Sequence, residues 1–458
     1  MRINVLPFCL AGVLIFATGG VRAETGFRGD GSGVYPQARP PLHWSADSNV
    51  TWTARLKWSN ASPVLLGDRV ITCEEPDVLL AVAFADGRVL WAVTNGYADV
   101  LSPAEAEVAR ESQKKADALQ PALREADKKA READKAAKEK PDDAEAKARV
   151  TAARQDVAAL RKQLEPLQKY RLPSTHGVNG YTTPTPVTDG KNIYTVFCSG
   201  VVAGFSPDGR RLWSRILPVR PHSGDWGHSA SPRLAEGTLL VHFGNRVFAM
   251  DPQTGADKWT ADAPSGFGSP IVARVDDAPA LLTPGGDFLA VADGRKLATG
   301  VFKFPWNGPV VANDTVYKVD EGGATAFSLK LAGAAKPAAL WHGKVPGGRY
   351  YATAVALDGL LYNVAQNGTL VVLDAKDGST VYEKALGFGG GTAYPSPVAA
   401  GGRLYVSNDN GVTVVIKPGR TYEELARNKL PDFRSCPVFV GDSLLVRTTS
   451  GLLRIQEK

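Results

Sequence analysis

Short runs of alternating apolar and polar residues, separated by Gly- and Asp-containing turns, fill most of the chain from about residue 50 to its end. Thr369-Leu370-Val371-Val372-Leu373-Asp374 is typical, and its period of two is that of a strand. Gly and β-branched residues crowd every window of these runs, which argues against helix. The runs recur in phase with a marker: a small residue, then Pro, then a strand former. It reads Ser62-Pro63-Val64, Thr185-Pro186-Val187, Ser231-Pro232-Arg233, Ser269-Pro270-Ile271, Gly308-Pro309-Val310, Ser396-Pro397-Val398 and Cys436-Pro437-Val438, with Thr353-Ala354-Val355 as a degenerate copy. From Pro186 onward the steps are 46, 38, 39, 45, 43 and 40 residues.

Periods of about 40–50 residues indicate propeller blades or helical arrays, and the content of each unit selects the former. After the Pro comes a turn and an aromatic or β-branched run, such as Gly402-Arg403-Leu404-Tyr405. A second run follows, then an Asp-Gly or Thr-Gly turn (Asp86-Gly87, Asp208-Gly209, Thr254-Gly255, Asp377-Gly378). An aromatic closes the unit: Trp91, Trp213, Trp259 or Tyr382. This predicts an all-β, eight-bladed β-propeller of four-stranded antiparallel blades. Pro is tolerated at the first residue of a strand, which suits its place at the head of each unit. The last unit, from Cys436, lacks an aromatic-closed outer strand, and Asn49-Val50-Thr51-Trp52 supplies one. Trp52 lies 11 residues before Pro63, as Trp259 lies 11 before Pro270. The units from Pro270 and Pro309 match least well, which leaves a count of seven open.

One step is too long. Pro63 and Pro186 are 123 residues apart, and the excess, residues 102–170, contains no Gly and is rich in Ala, Glu, Lys and Arg. Val150, Val157, Leu160, Leu164 and Leu167 form a heptad seam, and Ala126, Ala130, Ala133 and Ala137 a second one, with Pro141-Asp142-Asp143 as the break between them. The segment reads as an inserted antiparallel α-helical hairpin, a coiled coil, with Pro121 kinking or starting the first arm. It serves either as an arm that docks a partner or as a solvated decoration. The domain layout is then 1–23 signal peptide, 24–101 closing strand and blade 1, 102–170 hairpin, and 171–458 blades 2–8.

Residues 1–23 have the anatomy of a secretory leader: Arg2, an apolar stretch from Ile3 to Phe16, and the small-x-small step Val21-Arg22-Ala23. Export to the periplasm or the outside is expected, with outer-membrane association open, and no transmembrane segment. The formal charge of +6 includes Arg2 and Arg22, so without the leader it is +6 − 2 = +4. That is mild, and no basic run with interleaved aromatics occurs in the blades, so nucleic acid is not an expected partner. Cys73, Cys198 and Cys436 remain, either as buried apolar residues or with Cys73 and Cys198 as a pair in neighbouring blades.

The loops that enter each innermost strand are aromatic and Gly-rich, and they converge on the channel mouth of a propeller. They nominate Trp58, Asn179, Tyr181, Trp226, His228, Phe267, Trp306, Tyr350, Tyr394 and Arg434 as ligand-binding residues, for a protein partner or a small ligand. No catalytic residue and no metal ligand set is assigned. His222, Asp225 and His228 form the one local cluster of such residues, but their spacing fits no standard zinc pattern. No nucleophile elbow, phosphate loop or dinucleotide fingerprint is present.

The unit Ala249-Met250-Asp251-Pro252-Gln253-Thr254-Gly255-Ala256-Asp257-Lys258-Trp259 resembles the tryptophan-docking repeat of quinoprotein-type, PQQ-like β-propellers. Val372-Leu373-Asp374-Ala375-Lys376-Asp377-Gly378 is a partial second copy. Phe27-Arg28-Gly29-Asp30-Gly31-Ser32-Gly33-Val34-Tyr35-Pro36 resembles the start of exported members. The resemblance implies the propeller fold and two kinds of function. One is a PQQ-dependent dehydrogenase of alcohols or sugars, with calcium as the second cofactor. The other is a non-enzymatic binding or scaffold module, such as the outer-membrane assembly factors of the BamB type. The vicinal cysteine pair of the dehydrogenases is missing from this sequence, so a module without a cofactor is the expectation.

Overall fold

The computed structural model describes residues 26–218 and 226–457. The expected leader, His222 and Asp225 lie outside the described residues. Eight antiparallel sheets of four strands form eight blades; one carries an additional parallel strand. The first blade is Val64–Leu66, Arg69–Glu74, Val78–Ala83 and Val89–Thr94. The last is Val438–Val440, Ser443–Thr448 and Gly451–Gln456, completed by Val50–Arg55, which pairs antiparallel with Gly451–Gln456 (Thr53 opposite Leu453, Ala54 opposite Leu452). The count is therefore eight, and the N-terminal strand closes the ring. Units four and five are ordinary four-stranded blades despite their weak repeats.

The core is divided among the interfaces between blades. Leu239, Val241, Phe243, Phe248 and Met250 of blade 3 pack on Tyr194, Val196 and Val202 of blade 2. The second strand of a blade is covered on both faces, so Thr238–Phe243 is buried throughout. The outermost strand, as in Asp257–Asp262, shows the alternating pattern of one covered face.

The closing tryptophans fasten blade to blade. The Nε1–H groups of Trp91, Trp213, Trp259, Trp341 and Trp52 donate to the carbonyls of Pro207, Pro252, Val291, Ala375 and Phe84 in the next blade, at 2.8–3.0 Å. Each ring lies flat on that blade's turn glycine. A Cβ on Gly87 would come within 2.7 Å of the Trp52 ring, and one on Gly209 within 2.6 Å of Trp91. Both glycines also have positive φ, 77° and 85°. The Asp-Gly signal thus records a docking surface as well as a turn.

The insert is a hairpin of two helices, Pro103–Glu139 and Ala144–Leu164. Ser102 caps the first, and Asp143 caps the second by accepting from the N–H groups of Glu145 and Ala146. Pro121 lies inside the first helix rather than at its start. Arg154–Asp134 and Arg161–Asp127 join the helices, but these pairs are exposed and contribute little. Only the foot enters the propeller core, where Ala109 and Tyr170 pack among residues of blades 1 and 2. Replacing residues 102–170 by a short Gly/Ser linker is expected to leave one cooperative thermal transition at a modestly lower Tm. Loss of cooperativity would show that the blades need the hairpin to fold.

Candidate functional site

The axial channel opens at one end into a cavity of about 160 Å³, room for several waters or one ring-sized ligand. Its wall follows the repeat. The residue three before each marker position is Asn60, Thr183, Ser229, Phe267, Trp306, Tyr351, Tyr394 and Arg434 in blades 1 to 8, and all eight line the cavity. Residues two apart on an extended segment share a face, so the residue just before the marker faces the channel one layer deeper. Ser62, Thr185, Ser231, Ser269, Thr353, Ser396 and Cys436 form that lower ring.

Hydroxyls tie the lower ring together. The Ser62 N–H donates to Thr185 Oγ1 (3.1 Å), Thr185 N–H to Ser231 Oγ (3.0 Å), and Ser231 N–H to Ser269 Oγ (2.9 Å). On the far side Gly308 N–H donates to Thr353 Oγ1 (3.2 Å), Thr353 N–H to Ser396 Oγ (3.0 Å), and Cys436 N–H to Ser62 Oγ (3.0 Å). The backbone of Ser396 hydrogen-bonds the Cys436 thiol. The collar skips the step from Ser269 to Gly308, where a Cβ would come within 2.6 Å of the Ser269 carbonyl oxygen. In every blade but the fifth, the small residue of the marker is therefore the acceptor that ties one blade's backbone to the next.

The upper layer is divided by chemistry. Blades 4 to 7 contribute a continuous aromatic crescent: Phe267 stacks on Trp306 (centroids 5.5 Å, 12°), Trp306 meets Tyr351 edge-on (5.7 Å), and Tyr351 stacks on Tyr394 (4.9 Å). Trp226 extends it at the rim, between His176 (4.2 Å) and Phe267 (6.5 Å). Arg349 lies over the Trp306 ring at 5.1 Å and donates to the Tyr351 hydroxyl.

Blades 8, 1, 2 and 3 contribute the polar crescent. Arg434 lies over Tyr394 (5.3 Å), pairs with Asp409 (3.6 Å), and crosses the seam to the Val178 carbonyl (3.3 Å). Asn60 Nδ2 donates to the same carbonyl (2.7 Å), and Asn179 Nδ2 donates to the Trp226 carbonyl (2.8 Å), joining the two crescents. The loop bearing Asn179 is anchored from blade 1. The Glu75 carboxylate accepts the N–H groups of Tyr181 and Thr182, and burial pushes it above the usual carboxylate range although these bonds oppose the shift.

The N-terminal segment closes the channel from within. Phe27 forms part of the cavity lining, and Val34–Tyr35 runs parallel to Val398–Ala400. Arg28 donates to the carbonyls of Ala354 (2.8 Å) and Pro397 (3.1 Å), and Arg233 to those of Pro270 (2.8 Å) and Phe27 (3.0 Å). Neither makes an ion pair among the described residues. Burial lowers both guanidinium pKa values, that of Arg233 to about 10 with Arg28 adding to the effect. Two cations thus lie in the core close beneath the site.

Of the nominated residues, Asn179, Trp226, Phe267, Trp306, Tyr394 and Arg434 line the cavity. Trp58, Tyr181, His228 and Tyr350 do not. His228 and Tyr350 stand four before the marker, on the opposite face of the segment: the His228 ring packs on Phe243 at 4.6 Å, and the Tyr350 hydroxyl donates to the Pro346 carbonyl. Trp58 lies beside Gly180, and the Tyr181 hydroxyl donates to the Pro173 carbonyl. Asn60, Thr183, Ser229, Tyr351 and Asn307 belong to the wall but were not nominated. The fixed offset of three from the marker would have identified the first four; Asn307 stands two before it. Cys73, Cys198 and Cys436 are buried free thiols, so no disulfide joins Cys73 to Cys198. Burial pushes Cys73 to about 12 and Cys198 to about 11. No group of metal-ligating side chains occurs among the described residues, and no helix among them is long and apolar enough to cross a membrane.

The family model described as outer membrane protein assembly factor BamB (PQQ_2) matches residues 168–332 and 312–455. Among solved structures, BamB from Moraxella catarrhalis superposes with a TM-score of 0.55 at 11% identity, covering 89% of this chain and 97% of that one. Quinohemoprotein alcohol dehydrogenase from Comamonas testosteroni gives 0.56 at 9% identity, covering 90% and 76%. A europium-containing methanol dehydrogenase gives 0.53 at 12%, covering 88% and 85%. At these identities the likeness is one of fold. No curated protein sequence matches the chain.

Proposed function

The chain belongs to the family described as outer membrane protein assembly factor BamB, and from that premise we propose that it is an exported, non-enzymatic binding module. Its ligand, or a partner's side chains, enters the channel-mouth funnel, and the helical hairpin offers a second contact surface. The composition of the wall carries this reading. Among the described residues it contains no Asp, Glu or His, so it offers neither a general base nor a general acid of the usual kind. The hydroxyls of its lower ring accept backbone N–H groups of the collar, Ser229 donates to the Phe267 carbonyl, the Tyr351 hydroxyl accepts from Arg349, and burial raises the pKa of Tyr394 and of the one thiol, Cys436, the latter despite the opposing charge of Arg28. What remains is aromatic surface, amides and an arginine, which are groups that bind.

A calcium-held quinone does not fit this wall. Calcium takes oxygen ligands including carboxylates, and the wall supplies none. The three cysteines lie in separate blades and form no vicinal pair. Adding PQQ and calcium to the purified protein is expected to leave the quinone spectrum unchanged and to produce no dye-linked oxidation of an alcohol and sugar panel. Stoichiometric quinone binding with turnover would replace this reading by the dehydrogenase.

A further inference from the structure

We propose that the channel-mouth cavity binds a saccharide ring that carries no positive charge; this rests on the reading of the funnel as a binding site. Three observations define the ligand. The first is the division of the upper layer into an aromatic crescent on blades 4 to 7 and a polar crescent on blades 8 and 1 to 3. A ligand that satisfies both presents an apolar face on one side and hydrogen-bonding groups on the other. The C–H face and the hydroxyls of a pyranose do so within one ring.

The second observation is a set of unused polar atoms. Asn60 and Asn307 are buried in the wall, 9% and 3% exposed. Their Nδ2 groups are committed to protein carbonyls: Asn60 to Val178, and Asn307 to Val319 (2.8 Å) and Ala352 (3.2 Å). Their Oδ1 atoms have no hydrogen-bond partner in the protein, nor does Trp306 Nε1. Two acceptors and one donor left unpaired in this way are costly unless a ligand or water supplies the complement. Asn60 enters blade 1 and Asn307 enters blade 5, which stand opposite each other in an eight-bladed ring. The ligand therefore offers donors at two edges and an acceptor besides, which hydroxyls provide together.

The third observation is charge. An aromatic wall with carbonyl-type acceptors would also suit an organic cation. Here Arg349 and Arg434 flank the aromatic crescent, Arg28 and Arg233 lie beneath the cavity, and no carboxylate lines the wall; Asp409, paired with Arg434 at 3.6 Å behind it, leaves the balance positive. These charges oppose a cation and leave hydroxyl donors as the consistent choice.

The test is a titration of the full-length chain with free glucose, galactose, maltose, N-acetylglucosamine and glucuronate, read by tryptophan fluorescence and calorimetry. Glucosamine at pH 6, a quaternary amine and a library of short peptides serve as separate arms. Saturable binding of at least one of the five sugars is expected, weakened at least tenfold in Trp306→Ala and in Asn307→Leu. Ser229→Trp, which fills the mouth from a half-buried position, should abolish it, and the thermal melt of each variant checks folding. Tighter binding of glucosamine than of N-acetylglucosamine would overturn the charge assignment. Peptide binding sensitive to Ser229→Trp, without sugar binding, would overturn the saccharide and leave the funnel as a binding site. No Ser229-sensitive binding in any arm would overturn both.

Discussion

Trp52→Ala is expected to destabilise the propeller by roughly 3–5 kcal/mol, the range for removing a buried large aromatic. The Trp52 side chain is nearly buried, lies on Gly87 of blade 1 and donates to the Phe84 carbonyl at 2.9 Å. Its strand reaches Gly451–Gln456 by hydrogen bonds alone, because that blade is assembled from the two ends of the chain. In each of the other seven blades the chain itself runs through all four strands. The lost contact should therefore appear first as local opening. Amide exchange in Val50–Arg55 and Gly451–Gln456 should accelerate well before the rest of the ring, and the denaturant midpoint should fall. The equivalent Trp213→Ala, at an internal junction, should lower stability without selectively exposing the terminal strands. Equal exchange behaviour in the two variants would mean that the closure is no weaker than any other interface.

Arg447→Met is expected to cost about 3 kcal/mol or more, because it leaves buried carbonyls without a partner. Arg447 is fully buried, and its guanidinium donates to Thr448 (2.6 Å) and Gly451 (3.0 Å) of its own blade, and to Lys57 and Cys73 (3.1 Å) across the seam. Burial lowers its pKa to about 10, with Glu74 and Cys73 opposing the shift, so it remains charged at neutral pH. From about pH 10 up to the ordinary arginine range the unfolded chain binds more protons at this group, so its contribution to stability rises with pH through that window. The buried charge is thus unfavourable at neutral pH and is offset by the carbonyl bonds. Removing the side chain relieves the former and loses the latter, and four acceptors outweigh one desolvated, delocalised cation. Arg447→Lys should recover little, because an ammonium cannot reproduce the planar fork. Chemical denaturation checks both variants, and a Met variant as stable as the parent would show that the charge and its bonds cancel. Combined with Trp52→Ala the loss should fall short of the sum, since both side chains fasten one seam. Lys57 lies three residues before Asn60, so an open seam should also disturb the polar crescent.

How much of the site was legible depended on phase. The marker places the channel-mouth loops, and six of the residues nominated on them line the cavity. Tyr350 and His228 each stand one residue from a wall residue, Tyr351 and Ser229, and face the core instead. An extended segment alternates its faces, so a shift of one residue exchanges channel for core. Applying the same offset from the marker in every blade would have selected Tyr351 and Ser229. It would also have shown the division between Phe267, Trp306, Tyr351 and Tyr394 on one side and Asn60, Thr183, Ser229 and Arg434 on the other.

The sequence by itself determined the repeat, the four-stranded blade, the closing role of Trp52 and the helical character of residues 102–170, and the structure fixed the count at eight. These follow from local period, turn chemistry and composition, which each segment carries wherever it is placed. Only the tertiary structure decided that the marker hydroxyls form a collar, that Arg447 spans the seam, and that Arg28 and Phe27 occupy the channel. Those contacts join residues up to 390 positions apart. Ring closure brings them together, and no periodicity along the chain encodes which carbonyl a buried guanidinium will find.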